Sequence, residues 1–152
     1  MKRLRKLTVL LLVAALVGSS AGIALAAARD VIGTRFAAAV EYLTDLGVIS
    51  GYPDGTFRPA LTISRAEACK VIVIMTEGDS LRADLLRGAT PFSDVPSDHW
   101  ASGFIALAKL EGIVNGFPDG TFKPASNVTY AEFAKMLVEA AGLSPAPGFG
   151  WP

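Results

Sequence analysis

Only one cysteine and one histidine occur in the 152 residues. A single cysteine cannot close an internal disulfide. Cys69 lies in the apolar run Ala68-Cys69-Lys70-Val71-Ile72, which reads as a buried, inert thiol. His99, beside Asp98 and Trp100, has no second ligand to share a metal and no nucleophile motif to activate, so it reads as a structural or surface residue. The chain has no Gly-rich phosphate loop. Asp54 and Asp119 sit in Pro-Asp-Gly turns that lack the other acidic positions of a calcium loop. They read as turn residues rather than as the spaced carboxylate pair of a glycosidase. No catalytic constellation, metal centre or cofactor site is expected.

Charge is equally sparse as a signal, with 14 basic against 14 acidic residues. The four basic residues Lys2, Arg3, Arg5 and Lys6 precede an apolar run, Leu7 to Val17, broken by Thr8. Ala24-Leu25-Ala26 then fits the small-residue pattern of a signal-peptidase site. Residues 1–26 therefore read as a secretory signal cleaved after Ala26. The alternative is an uncleaved anchor, since weak apolarity continues to Ala28. Without the signal, ten basic residues face 14 acidic ones, a net charge of −4. Such a protein is a poor non-specific binder of nucleic acid. Residues 27–152 are long enough to bury a core.

What the chain does have is a repeat. Gly51 to Glu67 reads GYPDGTFRPALTISRAE, and Gly116 to Glu132 reads GFPDGTFKPASNVTYAE, at an ungapped offset of 65 residues. In each copy Pro presets φ, Asp bonds its own backbone and Gly accepts a positive φ, which together make a tight turn. Ser64-Arg65-Ala66-Glu67 and Thr129-Tyr130-Ala131-Glu132 are capping boxes, each marking a helix start. Upstream, Asp30-Val31 with Phe36 and Asp94-Val95 with Trp100 open a preceding helix that ends near Gly47 or Gly112.

The pattern predicts an all-α fold with helices near 35–46, 65–76, 100–111 and 130–141. The apolar stripes Ala68, Val71, Ile72, Met75 and Phe133, Met136, Leu137, Ala140 are expected to face the core, as are Phe104, Ile105 and Ala108. Residues 27–78 form the first repeat and 92–143 the second. Between them, 79–91 hold a short helix from Leu81 to Arg87 with Ser80 as its cap.

FSDVPSDHWA, LEGIVNGFPDGTFKP and TYAE, with AVEYLTDLGVISGYPDGTFRPALTISRAE before them, closely resemble the S-layer homology (SLH) domain. The resemblance covers about Asp30 to Leu143. It implies tandem helix-loop-helix repeats forming part of a pseudo-symmetric helical spindle. It also implies that Phe149-Gly150-Trp151 resembles the opening of a further repeat, so 144–152 read as a loop and the start of a truncated third. An ordinary Pro/Gly-rich tail is the other reading.

In function, the resemblance implies a secreted cell-envelope anchor that binds an anionic, pyruvylated secondary cell-wall polysaccharide or a peptidoglycan-linked glycan. The family's arginine maps onto Arg65, where a two-pronged donor at a helix start suits a carboxylate. Tyr130 replaces it in the second repeat, with Lys123 as a partial substitute. The candidate ligand-binding residues are Arg65, Glu67, Tyr130, Glu132, Lys123 and Arg58. Two other roles stay open: a structural array or subunit-contact module, self-associating through an unfilled repeat face, and the anchor fragment of a larger extracellular enzyme.

Overall fold

The computed structural model describes residues 28–143; the segments read above as a signal and as a further repeat lie outside them. Five helices follow in order: α1 (Ala37–Asp45), α2 (Arg65–Glu77), α3 (Leu81–Leu85), α4 (Ser102–Leu110) and α5 (Tyr130–Ala140). No strand forms among the described residues, and a single isolated antiparallel bridge joins Ser64 to Asn127. The fold is all-α. No helix among the described residues is long and apolar enough to cross a membrane.

Both capping boxes form. Ser64 accepts from the Glu67 N–H, and Glu67 reaches back to the Ser64 N–H at 2.8 Å. Thr129 and Glu132 repeat the arrangement at 2.8 Å. Such a cap stabilises a helix by about 1 kcal/mol. The first helix of each repeat ends at a glycine: Gly47 (φ +70°) and Gly112 (φ +74°) take the left-handed conformation that stops it. In α3 the expected cap differs. The Ser80 hydroxyl donates to the Asp84 carboxylate at 2.8 Å, while Asp79 Oδ1 accepts the Leu81 N–H at 2.8 Å. This helix stops at Leu85, two residues before Arg87.

α4 is the centre of the molecule. Every residue from Ser102 to Ala108 is buried. α2 packs on α4 and α5, and α3 packs on α4. An all-round apolar helix must sit inside, because it has no face to give to water. The core joins Ile72, Val73 and Cys69 of α2 to Ile105 and Leu107 of α4 and to Phe122 of the second loop. The expected stripes are rotated at their ends: Met75 and Leu137 are exposed, and Val73 and Ile74 are buried instead. α2 contacts helices on two sides, so its buried arc is wider than a single stripe and turned towards α4. Cys69 is fully buried, and burial pushes its thiol up to about 12.

The loops repeat as faithfully as the helices. Tyr52 N–H donates to Thr56 O and Phe117 N–H to Thr121 O, both at 2.8 Å. Asp54 and Asp119 each accept from a threonine N–H at 3.0 Å and from its hydroxyl at 2.6 Å. The residues ahead of α1 and α4 then hold these loops. Asp30 accepts the N–H groups of Phe57 and Arg58 with its two oxygens, at 2.7 and 2.6 Å. Asp94 accepts those of Phe122 and Lys123, both at 2.7 Å. Arg58 (φ 59°) and Lys123 (φ 60°) are thereby held in the left-handed region, at about 1–2 kcal/mol each.

Gly103 lies where α4 crosses α3, and a Cβ there would overlap the Ala83 carbonyl oxygen. Gly103→Ala should therefore destabilise the fold by about 2 kcal/mol, despite alanine's better helix propensity. Chemical denaturation of wild type and variant measures this; equal midpoints would contradict the crossing.

Candidate functional site

Two features of the fold concern function: the joint between the repeats, and a groove beside the first loop.

The joint is built around Arg65. This residue opens α2, and its side chain leaves the first repeat altogether. Nε–H donates to the Phe122 carbonyl at 2.9 Å, and Nη1 donates to the Glu132 carboxylate at 3.1 Å. The guanidinium lies 5.0 Å from the Phe117 ring centroid and 4.9 Å from that of Phe122. Backbone bonds run alongside: Arg65 N–H to Ser126 O at 2.9 Å, Ala66 N–H to Pro124 O at 3.0 Å, and Val128 N–H to Ile63 O at 3.2 Å. Arg65 is 8% exposed. The sequence reading treats it as an open donor at a helix start. In the fold it is a partnered tie between repeats.

The other candidate residues are held in different ways. Glu67 and Glu132 are engaged by their own caps, and Glu132 also takes Arg65. Hydrogen bonds from the Thr129 backbone and hydroxyl, with Arg65 beyond, hold the Glu132 carboxyl below its ordinary range. Lys123 Nζ stands 4.0 Å from the Phe117 centroid. Tyr130, the counterpart of Arg65, is 95% exposed. The structure thus brings Arg65 and Lys123 together over Phe117, with Glu132 paired to Arg65, and leaves Arg58 in the first loop and Tyr130 on the surface.

The groove is a hollow of about 320 Å³ between the first loop, α2 and Trp100 in the segment before α4. Tyr52, Arg58, Leu61, Glu67, Lys70 and Trp100 are among its lining residues. Arg58 lies over the Tyr52 ring at 4.1 Å and pairs with Asp54 at 2.8 Å. Lys70 Nζ bonds the Ser50 hydroxyl at 3.3 Å. Trp100 is 51% exposed and stacks on His99, whose Nδ1 accepts the Ala101 N–H at 3.1 Å. Lys70 and Trp100 also line a second hollow with Asp79, Asp84 and Arg87. Flat aromatic faces beside two cations make a surface suited to a polar, ring-shaped, anionic ligand. No group of acidic, histidine or cysteine side chains fit to hold a metal occurs among the described residues.

Lys70 and Trp100 were not among the sequence candidates. Trp100 carries a signal, an aromatic six residues after Asp94 that matches Phe36 six residues after Asp30. Lys70 carried none, because only folding turns it towards the first loop.

The family model of the S-layer homology domain matches residues 29–69 and 91–134. The surface layer protein of Brevibacillus choshinensis is 38% identical over 99% of this chain and 14% of its own length. A cellulosome-anchoring protein of Acetivibrio thermocellus is 31% identical over 79% of this chain and 27% of its own. An uncharacterized cell wall amidase of Bacillus anthracis is 34% identical over 63% of this chain and 17% of its own. The chain therefore spans at most about a quarter of the length of these relatives.

Two outcomes follow from this geometry. Arg65→Leu should cost about 2–3 kcal/mol, since it strips a charged donor from a buried carbonyl and from Glu132. Arg65→Lys should recover part of that, because an ammonium cannot serve both partners with a fork. Thermal denaturation reads both; a neutral Arg65→Leu would contradict the tie. The second outcome concerns acid. Bonds from Thr56, then Arg58, bring the Asp54 carboxyl from 3.8 to about 2. A pKa lowered by folding gives stability that is present above 3.8 and lost as pH falls towards about 2. Asp54→Asn should flatten the fall in melting temperature across that window; an unchanged slope would contradict it.

Proposed function

Since the chain belongs to the S-layer homology domain family, we propose that it is a cell-envelope anchoring module whose first groove binds an anionic wall polysaccharide. The relatives support the coarse part. A surface layer protein, a cellulosome-anchoring protein and a cell wall amidase share this module while differing in name and carrying most of their length elsewhere. A segment common to such different proteins supplies attachment, not their separate activities. Nothing in the groove resembles an acid, base and nucleophile set, so catalysis is not part of the reading. Attachment to the wall puts the working location at the cell surface, consistent with residues 1–26 serving as a secretory signal.

The finer part rests on one observation: the aromatic residues Trp100 and Tyr52 line a hollow that also holds Lys70 and Arg58. A pyranose stacks its apolar face on such rings, and a pyruvate ketal carboxylate is drawn to the cations. Lys70 is the freer of the two, because Arg58 is already shared with Asp54 and Tyr52. Arg65 contributes indirectly by holding the second repeat against the first.

Sedimentation with isolated walls, before and after chemical removal of the polysaccharide, tests this. Binding should be lost on removal. Lys70→Ala and Trp100→Ala should each weaken it by about tenfold while leaving the melting temperature unchanged. Undiminished binding to stripped walls would overturn the polysaccharide, and wild-type affinity in both variants would overturn the groove.

A further inference from the structure

Trp100 stands half out of the fold and lines both hollows. It lies outside α4, in the turn that leads to it. A half-exposed side chain outside regular structure keeps its rotational freedom unless a neighbour removes it. A ligand that stacked on a free indole would have to stop that motion itself, and its affinity would fall accordingly. One neighbour is placed to do this in advance. The His99 imidazole lies against the indole, with ring centroids 5.8 Å apart and planes inclined by 27°.

His99 is itself anchored to the core. Its Nδ1 accepts the Ala101 N–H at 3.1 Å. Its own N–H donates to the Pro96 carbonyl at 3.0 Å, and its carbonyl accepts the Ser102 N–H at 2.9 Å. Ala101 and Ser102 are fully buried, and the Ser102 hydroxyl accepts the Gly88 N–H at 3.0 Å. The imidazole therefore cannot turn without stripping the Ala101 N–H of its acceptor. Contact runs unbroken from the buried start of α4, through a bonded imidazole, to an exposed indole. The first repeat uses the same device. Phe36 follows Asp30 by six residues, as Trp100 follows Asp94, and the guanidinium of the preceding Arg35 lies 4.8 Å from its ring centroid. In both repeats the residue before the aromatic backs its ring. In the second, the backed ring borders the two hollows.

We propose that His99 is a positioning residue for the wall ligand: its ring holds the Trp100 indole in the attitude in which the indole meets a sugar. His99 lines neither hollow, so it acts through Trp100 and not by touching the ligand. This rests on the reading of the groove as the polysaccharide site. It gives the one histidine of the chain a task that needs neither a metal nor a nucleophile.

The bond to Ala101 and the stack on Trp100 can be separated by substitution. Asparagine keeps an acceptor for the N–H two residues on and loses the ring. Phenylalanine keeps a flat ring and loses the acceptor. The chain has two tryptophans, so in a Trp151→Phe background the fluorescence reports Trp100 alone. Acrylamide quenching of that signal, with no glycan present, measures how freely the indole is exposed. His99→Asn should keep the melting temperature, raise the quenching of Trp100, and weaken sedimentation with isolated walls by about threefold. His99→Phe should lower the melting temperature, yet return both quenching and wall binding to near wild-type values. Wild-type quenching in His99→Asn, wild-type wall binding in that variant, or a His99→Phe no better than His99→Asn would each overturn the proposal. A wild type that does not sediment with walls would overturn the polysaccharide reading instead, while the quenching comparison still decides whether His99 holds the indole.

Discussion

The fold depends on a cation taken out of water at the start of α2. A buried guanidinium must be paired and hydrogen-bonded, or it costs more than the joint can return. Arg65 meets that demand only with groups of the other repeat: the Phe122 carbonyl, the Glu132 carboxylate and two phenylalanine faces. The requirement therefore sets the relative placement of the repeats. It also binds the two capping boxes into one network, since Glu132 caps its own helix while receiving Arg65. Apolar packing of α2 on α4 and α5 brings the elements together, but it is tolerant of small slips. The arginine and its flanking backbone bonds are not.

A second constraint acts within each repeat. The aspartate ahead of the first helix takes two successive loop N–H groups, which holds a non-glycine residue in a left-handed conformation. That strain puts Arg58 and Lys123 on the loop surface with their side chains over an aromatic ring. In the second repeat the neighbouring space is filled by Arg65. Among the described residues it is open in the first, where Tyr52, Arg58, Lys70 and Trp100 line one groove, while its counterpart is part of the joint. The two places are built from matching residues, and among the described residues one is filled by Arg65 and the other is a groove.

Much of this was readable beforehand. The turn and cap motifs act over three or four residues, so the helix starts at Arg65 and Tyr130 and the turns at Asp54 and Asp119 followed from local chemistry. Burial was less readable. The spacing on α2 predicts a stripe ending on Met75, but contacts with two helices widen and turn the buried arc towards Val73 and Ile74. Residue type alone predicts Ser80 as a cap, whereas the neighbouring Asp79 carboxylate accepts the Leu81 N–H. For Arg65 the motif marks a helix start. Local spacing could not say that its partners lie 57 and 67 residues away.

Local order thus dictated the family, the all-α class, the two capped helices and the repeating loop, because each arises from bonds between residues close in the chain. Long-range packing decided what those parts are for. It turned a helix-start arginine into a buried tie and brought Lys70 and Trp100 to one groove. Those outcomes depend on which repeat has a neighbour on which side, a fact of three-dimensional succession that two nearly identical stretches of sequence do not carry.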